Sequence, residues 1–256
     1  MVTRAELKRR GKEAFRRNYW AAVAVTVIAL ILRANYTKII KQVSLNDPVS
    51  MGHLDAAEHF FSWISDISVT ELTGILLIML LMAVLKLILG NLLELGGCRF
   101  FLENRNAEPG VGTVFYFFKK GRYANGFVTL LVRNIYIYLW TLLFVVPGII
   151  KQYEYAMIPY LLAENPGMAR NRAFDLSREM MHGHKWELFV LYLSFIWWAL
   201  FAIVTCGLGA IFYAGPYVQA TVAEFYAERR REAFEKGYSG PDELYGFEEE
   251  KSYMVF

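Results

Sequence analysis

The chain has 256 residues, 56% of them hydrophobic and 20% charged, with a net charge of +3. A soluble domain has a hydrophobic share nearer one half or below, spread along the chain. Here the apolar residues fall into runs of about 20, the length that crosses a bilayer core. The cationic residues come with no zinc, helix-turn-helix or aromatic-basic module, so a nucleic-acid partner is not expected.

Arg4, Lys8, Arg9, Arg10, Lys12, Arg16 and Arg17 precede the first apolar run, a pattern that predicts a cytoplasmic flank facing anionic lipid. Thr3-Arg4-Ala5-Glu6 fits a capping box, and Leu7, Gly11, Ala14 and Phe15 recur at helical spacing. Residues 1–18 therefore read as a basic amphipathic helix. The basic region is long for a signal peptide and Arg33-Ala34-Asn35-Tyr36 is a poor cleavage site, so the first span is expected to stay uncleaved.

Six spans are expected, over residues 19–32, 72–96, 126–148, 149–162, 186–206 and 208–226. Between them lie amphipathic pieces, including Ala57, Phe60, Phe61, Ile64 and Ile67 in an outer loop, and Ala169, Ala173, Leu176 and Met180 after Asn165-Pro166. They read as interfacial helices or as helices packed on the ends of the bundle. The expected fold class is all-α integral membrane, with about six transmembrane helices and amphipathic interfacial helices. The bundle occupies 19–228 and a flexible cytoplasmic tail 229–256.

Most cations then fall on one side. The other side keeps only Arg33, Lys38, Lys41 and Lys151. The positive-inside rule places both termini in the cytoplasm, and Lys151 on the opposite side from Arg178 and Lys185. Pro147-Gly148 is a turn signal and predicts the outer corner of a helical hairpin. Lys151 and Glu154, three apart, share a helix face. Pro159 is expected to kink its helix, and Pro216 to break the last span. Asn165-Pro166 has the form of a helix start, and Gly183 that of a helix stop.

Several segments carry a family likeness: Arg99-Phe100-Phe101-Leu102, Pro147-Gly148-Ile149-Ile150-Lys151, Tyr155-Ala156-Met157-Ile158-Pro159-Tyr160, Ser177-Arg178-Glu179-Met180-Met181, Gly183-His184-Lys185-Trp186 and Ala223-Glu224-Phe225-Tyr226. In these the chain resembles a bacterial membrane family catalogued as domain of unknown function 975, from Arg4 to about Tyr226. The proline-glycine corner is also remotely similar to the membrane domain beside some glycerophosphodiester phosphodiesterases. The resemblance implies a multi-span protein of the bacterial cytoplasmic membrane and supplies no catalytic residues.

Lys86 falls near the middle of the second span, where an ionisable residue suggests a functional role. Lys86, Glu94 and Glu154 can line a solute or proton path; a structural ion pair or snorkelling is the alternative. Arg133 also falls inside a span. Lys119, Lys120, Arg122, His184, Lys185 and Trp186 form a candidate rim for anionic headgroups. His182 and His184 flank a helix stop beside Lys185 and fall short of the three or four ligands that zinc takes. Cys98 and Cys206 are expected at opposite ends of the spans, beyond disulfide reach. No catalytic motif, cofactor site or metal site is read. The expected function is that of a non-enzymatic membrane protein with a lipid-interacting or membrane-organising role, and the alternative is a small-solute permease.

Overall fold

The computed structural model describes residues 2–33, 69–118 and 123–245, and among these there is no strand. The helices are α1 (Arg4–Arg17), α2 (Tyr19–Arg33), α3 (Val69–Glu103), α4 (Tyr123–Leu143), α5 (Val145–Glu154), α6 (Ile158–Glu164), α7 (Arg170–Met180), α8 (Lys185–Leu193), α9 (Ile196–Val204) and α10 (Gly215–Glu235). A 3-10 helix covers Val111–Phe118, and a π-helical turn covers Ala210–Ala214. The chain forms two units, residues 1–30 with 90–256, and residues 31–89. In the second, the described part is mainly the first turns of α3, whose side chains from Leu76 to Leu85 are exposed.

α1 starts where the sequence places it. The Thr3 hydroxyl accepts a hydrogen bond from the Glu6 amide at 3.3 Å, satisfying one of the unpaired donors of the first turn. Its buried residues are Leu7, Gly11, Ala14 and Phe15, the expected stripe. Protein covers that stripe: a Cβ on Gly11 would lie 2.8 Å from the Thr221 backbone in α10. Arg17 donates to the carbonyls of Asn104 at 2.6 Å and Arg105 at 2.8 Å, and the Asn104 amide donates to Ala14 at 2.9 Å. α7 likewise buries Ala173, Leu176 and Met180. Of the two readings for these amphipathic helices, packing onto protein fits the faces of α1 and α7. The outer-loop stripe at residues 57–67 lies outside the described residues.

Among the described residues, three helices are long and apolar enough to cross a membrane, Leu76–Glu103, Ala124–Leu143 and Lys185–Val204, and Tyr19–Leu30 is a shorter apolar helix. The fourth and sixth expected spans are not among them. The fourth is divided between α5, of 10 residues, and α6, of 7 residues. At 1.5 Å per residue, α6 reaches only about 10 Å, and all its residues are buried. Over the sixth, a turn at Cys206 and Gly207, both with positive φ, leads into the π turn. α10 then buries Glu224, Arg229 and Arg230.

The prolines explain these breaks. Pro159 has no amide hydrogen to give the Tyr155 carbonyl, so α5 ends at Glu154 and α6 restarts with proline in its first turn; this is a break rather than a kink. Pro216 cannot donate to Phe212, and the turn before it widens until the Gly215 amide bonds Ala210. The α4–α5 corner sits at extended Phe144 (φ −153°, ψ 133°), three residues before the expected Pro147-Gly148 corner. Pro147 stands in the first turn of α5, where a missing donor costs little. Gly148 lets the two arms meet, since a Cβ there would lie 2.2 Å from Thr141 Oγ1. Asn165 does not start a helix; its side chain accepts from the Gly167 amide at 3.0 Å, and α7 begins at Arg170. Gly183, at φ +80°, follows α7 as expected.

The tail is not loose from residue 229. α10 runs to Glu235, and Leu244 is fully buried. Arg172 holds the Glu243 carboxylate at 2.7 and 2.8 Å, and the Asn165 side chain donates to the Glu243 carbonyl at 3.0 Å. Residues 246–256 lie outside the described part.

Gly11→Leu should cost about 1–3 kcal/mol through overpacking against Thr221. Gly97→Ala, which meets nothing within 4 Å, should gain about 0.5–1 kcal/mol from helix propensity. Thermal melts in one detergent compare them; equal melting temperatures would refute the close α1–α10 approach.

Candidate functional site

The break at Pro159 leaves Glu154 at the end of α5, 5% exposed. Three cations converge on it. Lys151, one turn back, donates to Oε1 at 2.7 Å. Lys185, the first residue of α8, donates to Oε2 at 2.6 Å. Arg178, near the end of α7, places Nε 3.3 Å from Oε1. The Ser177 hydroxyl donates to the Glu154 backbone carbonyl at 2.8 Å and ties α7 to the break. Burial pushes the Glu154 carboxyl up, but the Lys151 and Lys185 ammonium groups outweigh it and hold it below the usual carboxylate range.

The i, i+3 pairing of Lys151 with Glu154 follows the sequence expectation. The two further cations correct another. Lys151 was expected on the opposite side of the membrane from Arg178 and Lys185. All three touch one carboxylate, so a hydrocarbon layer about 30 Å thick does not separate them.

Aromatic rings border the cluster. Lys151 Nζ lies 5.8 Å from the Trp140 ring and 5.6 Å from the Tyr155 ring, at the outer reach of cation–π attraction. Trp186 is 69% exposed and stacks on Phe189 at 5.0 Å. Beyond the cluster, the α4–α5 corner is bare and apolar: Leu142, Leu143, Phe144, Val145 and Val146 are all exposed.

The other intramembrane candidates go elsewhere. Glu94 accepts from Arg133 at 2.8 Å. Arg133 also donates to Asn134 at 2.9 Å, which donates to Asn91 at 3.2 Å. Asn91 Nδ2 and Thr129 Oγ1 are buried there without a hydrogen-bond partner. Lys86 is half-buried in the 31–89 unit. Among the described ion pairs, those of Glu94 and Glu154 share no residue. Of the expected headgroup rim, Lys119, Lys120 and Arg122 lie outside the described residues. His184 is buried, with Nδ1 3.1 Å from Glu187 and Nε2 3.1 Å from Glu232, so it faces protein carboxylates instead of lipid. His182 is exposed, and no group of three potential metal ligands occurs among the described residues. Cys98 is buried and Cys206 exposed, and neither forms a disulfide among the described residues.

A third carboxylate escaped sequence reasoning. Glu164, 2% exposed, accepts from Tyr226 at 2.7 Å and Arg230 at 2.8 Å. Arg230 also donates to the Leu244 carbonyl at 2.9 Å. No local spacing announces contacts between residues more than 60 positions apart.

Residues 142–232 match the model of a family described as Protein of unknown function (DUF975). The matched segment contains α5 to α9 and most of α10, with all four members of the Glu154 cluster. No curated protein and no solved structure matches the chain, and the likeness to the phosphodiesterase membrane domain finds no support.

Removing both lysines leaves the buried carboxylate with the half-exposed Arg178 alone, and breaking a buried pair outright costs about 3–5 kcal/mol. Lys151→Met with Lys185→Met should thus lower the melting temperature sharply, and adding Glu154→Gln should restore most of it. A triple variant no more stable than the double one would show that Glu154 does not depend on these cations. Acid acts on the tail. Arg172 holds the Glu243 carboxyl below its ordinary value against the opposing effect of burial. Its stabilisation is present above the unfolded carboxylate pKa and is lost as pH falls through the folded one. Protection factors across residues 236–245, corrected for the intrinsic pH dependence of exchange, should therefore fall selectively on acidification below the usual carboxylate range. Unchanged protection there would refute the Arg172–Glu243 anchor.

Proposed function

We propose that this is a non-enzymatic protein embedded in the bacterial cytoplasmic membrane, with both termini in the cytoplasm, whose role is to contact and organise lipid. The observation that carries this reading is the large apolar surface at two helix corners. At the α4–α5 corner Phe144 is 67% exposed and Val146 66%, and at the α9 corner Ile203 is 74% and Val204 81% exposed. Contiguous surface of this kind is unstable in water and marks a membrane or protein interface. The charged residues add support, because Glu154, Glu164 and Arg230 are turned inward onto partners instead of coating these faces.

The six expected spans become, in this reading, two full-length apolar runs, α3 and α8–α9, the shorter α2, and an α4–α5 hairpin whose corner dips into one leaflet, with α6 as the rest of a broken return arm. The cationic N-terminus favours the cytoplasmic side. A permease requires its polar residues to share one path. Glu94 is bound by Arg133, while Glu154 is bound by Lys151 and Lys185, which favours the lipid-facing reading.

The full chain should remain in the membrane pellet after alkaline carbonate extraction. With Cys98 and Cys206 replaced, single cysteines at Val145 and Val204 should resist a membrane-impermeant maleimide until detergent is added. Release into the supernatant, or complete labelling of both positions in intact membranes, would sink the proposal.

A further inference from the structure

We infer that Lys151, Arg178 and Lys185 form a binding site for the phosphate of an anionic phospholipid, with Glu154 as the enclosed counter-ion against which the phosphate competes. The inference deepens the bilayer-embedded reading and rests on it.

Charge is the first argument. Three cations face a single buried carboxylate, at 2.7, 3.3 and 2.6 Å. Arg178 shares itself with exposed Asp175 at 3.3 Å. Among the described residues, with both acids counted, one positive charge of the cluster stays uncompensated. Exposure is the second argument. Glu154 is 7% exposed in its side chain, whereas Lys151 is 25%, Lys185 32% and Arg178 52% exposed. The acid is thus enclosed while the cations keep an open side. An arginine and two lysines suit a phosphate, the guanidinium through its planar fork and the ammonium groups as point charges.

Depth selects lipid as the source of the phosphate. Lys151 lies seven residues beyond Phe144, about 10 Å along α5. With the cations at headgroup level, the bare corner reaches into one leaflet, whose hydrocarbon is about 15 Å deep. Trp140, Tyr155 and exposed Trp186 border the same level, where amphipathic rings favour the interface. An acyl chain then lies along the apolar corner while its phosphate meets the three cations.

Native mass spectrometry of the detergent-solubilised full chain, titrated with phosphatidylglycerol or phosphatidylcholine, tests this. Phosphatidylglycerol should bind about tenfold or more tightly, and Arg178→Gln with Lys185→Gln should remove that preference. Arg9→Gln with Arg231→Gln, exposed cations outside the cluster, should leave it intact. Glu154→Gln should tighten binding several-fold, because it removes the competing carboxylate; a purely structural cluster would lose affinity instead. That opposite sign decides the matter even if the double variant fails to fold. Equal affinity for the two lipids, equal loss in the control variant, or weaker binding by Glu154→Gln would overturn the site. Inorganic phosphate competing as well as phosphatidylglycerol would overturn its assignment to lipid. Carbonate extraction reads the underlying proposal separately. Loss of headgroup preference with the pellet intact removes only the site, and loss from the pellet with the preference intact removes only the bilayer reading.

Discussion

A carboxylate buried at a helix break constrains much of this structure. Pro159 withholds one hydrogen bond, and α5 must end one turn earlier, at Glu154. An unpaired carboxylate at such a place would be too costly to keep ionised. The chain answers with cations from three elements: Lys151 on the same helix, Arg178 on α7 and Lys185 on α8. Neutralising one acid thereby ties the end of α7 and the start of the apolar α8 to the break after α5. Helix break, ion cluster and interhelical packing are consequences of one another.

The same solution recurs. Glu164 ends α6 and draws in Tyr226 and Arg230 from α10, and Arg230 in turn holds the carbonyl of Leu244. Glu94 on α3 takes Arg133 on α4. Each pair gains little net stability over an apolar replacement, because desolvation offsets attraction. Their contribution is to specificity. Apolar faces slide past one another at small cost, whereas a buried acid accepts only the register that brings its base. In a chain this apolar, such pairs pin α3 to α4 and α6 to α10.

Local features were legible in the sequence. The stripe Leu7, Gly11, Ala14 and Phe15 was readable because helical period alone decides which residues share a face. Lys151 and Glu154, three apart on one helix, were readable for the same reason, as was the Gly183 stop. The partners of Glu154 were not. Arg178 and Lys185 lie 24 and 31 positions away, and the positive-inside rule assigned them to the wrong side relative to Lys151. That rule treats each apolar run as a full crossing, an assumption that fails where Pro159 divides a run into helices of 10 and 7 residues. The corner was misplaced by three residues because Pro-Gly marks turns and also suits a first helical turn against a close neighbour. The tail read as flexible from its glycines and acids, yet Arg172 and Asn165 hold Glu243 through contacts no local pattern announces.

The distribution of polarity separates this protein from a soluble helical one. Its longest exposed faces are apolar, from Leu76 to Leu85 and from Ile135 to Val146, while Glu154, Glu164, Arg229 and Arg230 are buried. Water would reward the reverse arrangement. Hydrocarbon rewards this one, because an apolar side chain loses nothing by facing an acyl chain and a charge loses heavily unless it is paired. The position of the Glu154 cluster follows from that balance. It lies about two turns from the apolar corner, at the first point along α5 where a lysine appears and where α7 and α8 can deliver two more cations. The corner is free to be wholly apolar because every charge its arm carries has been gathered at its base.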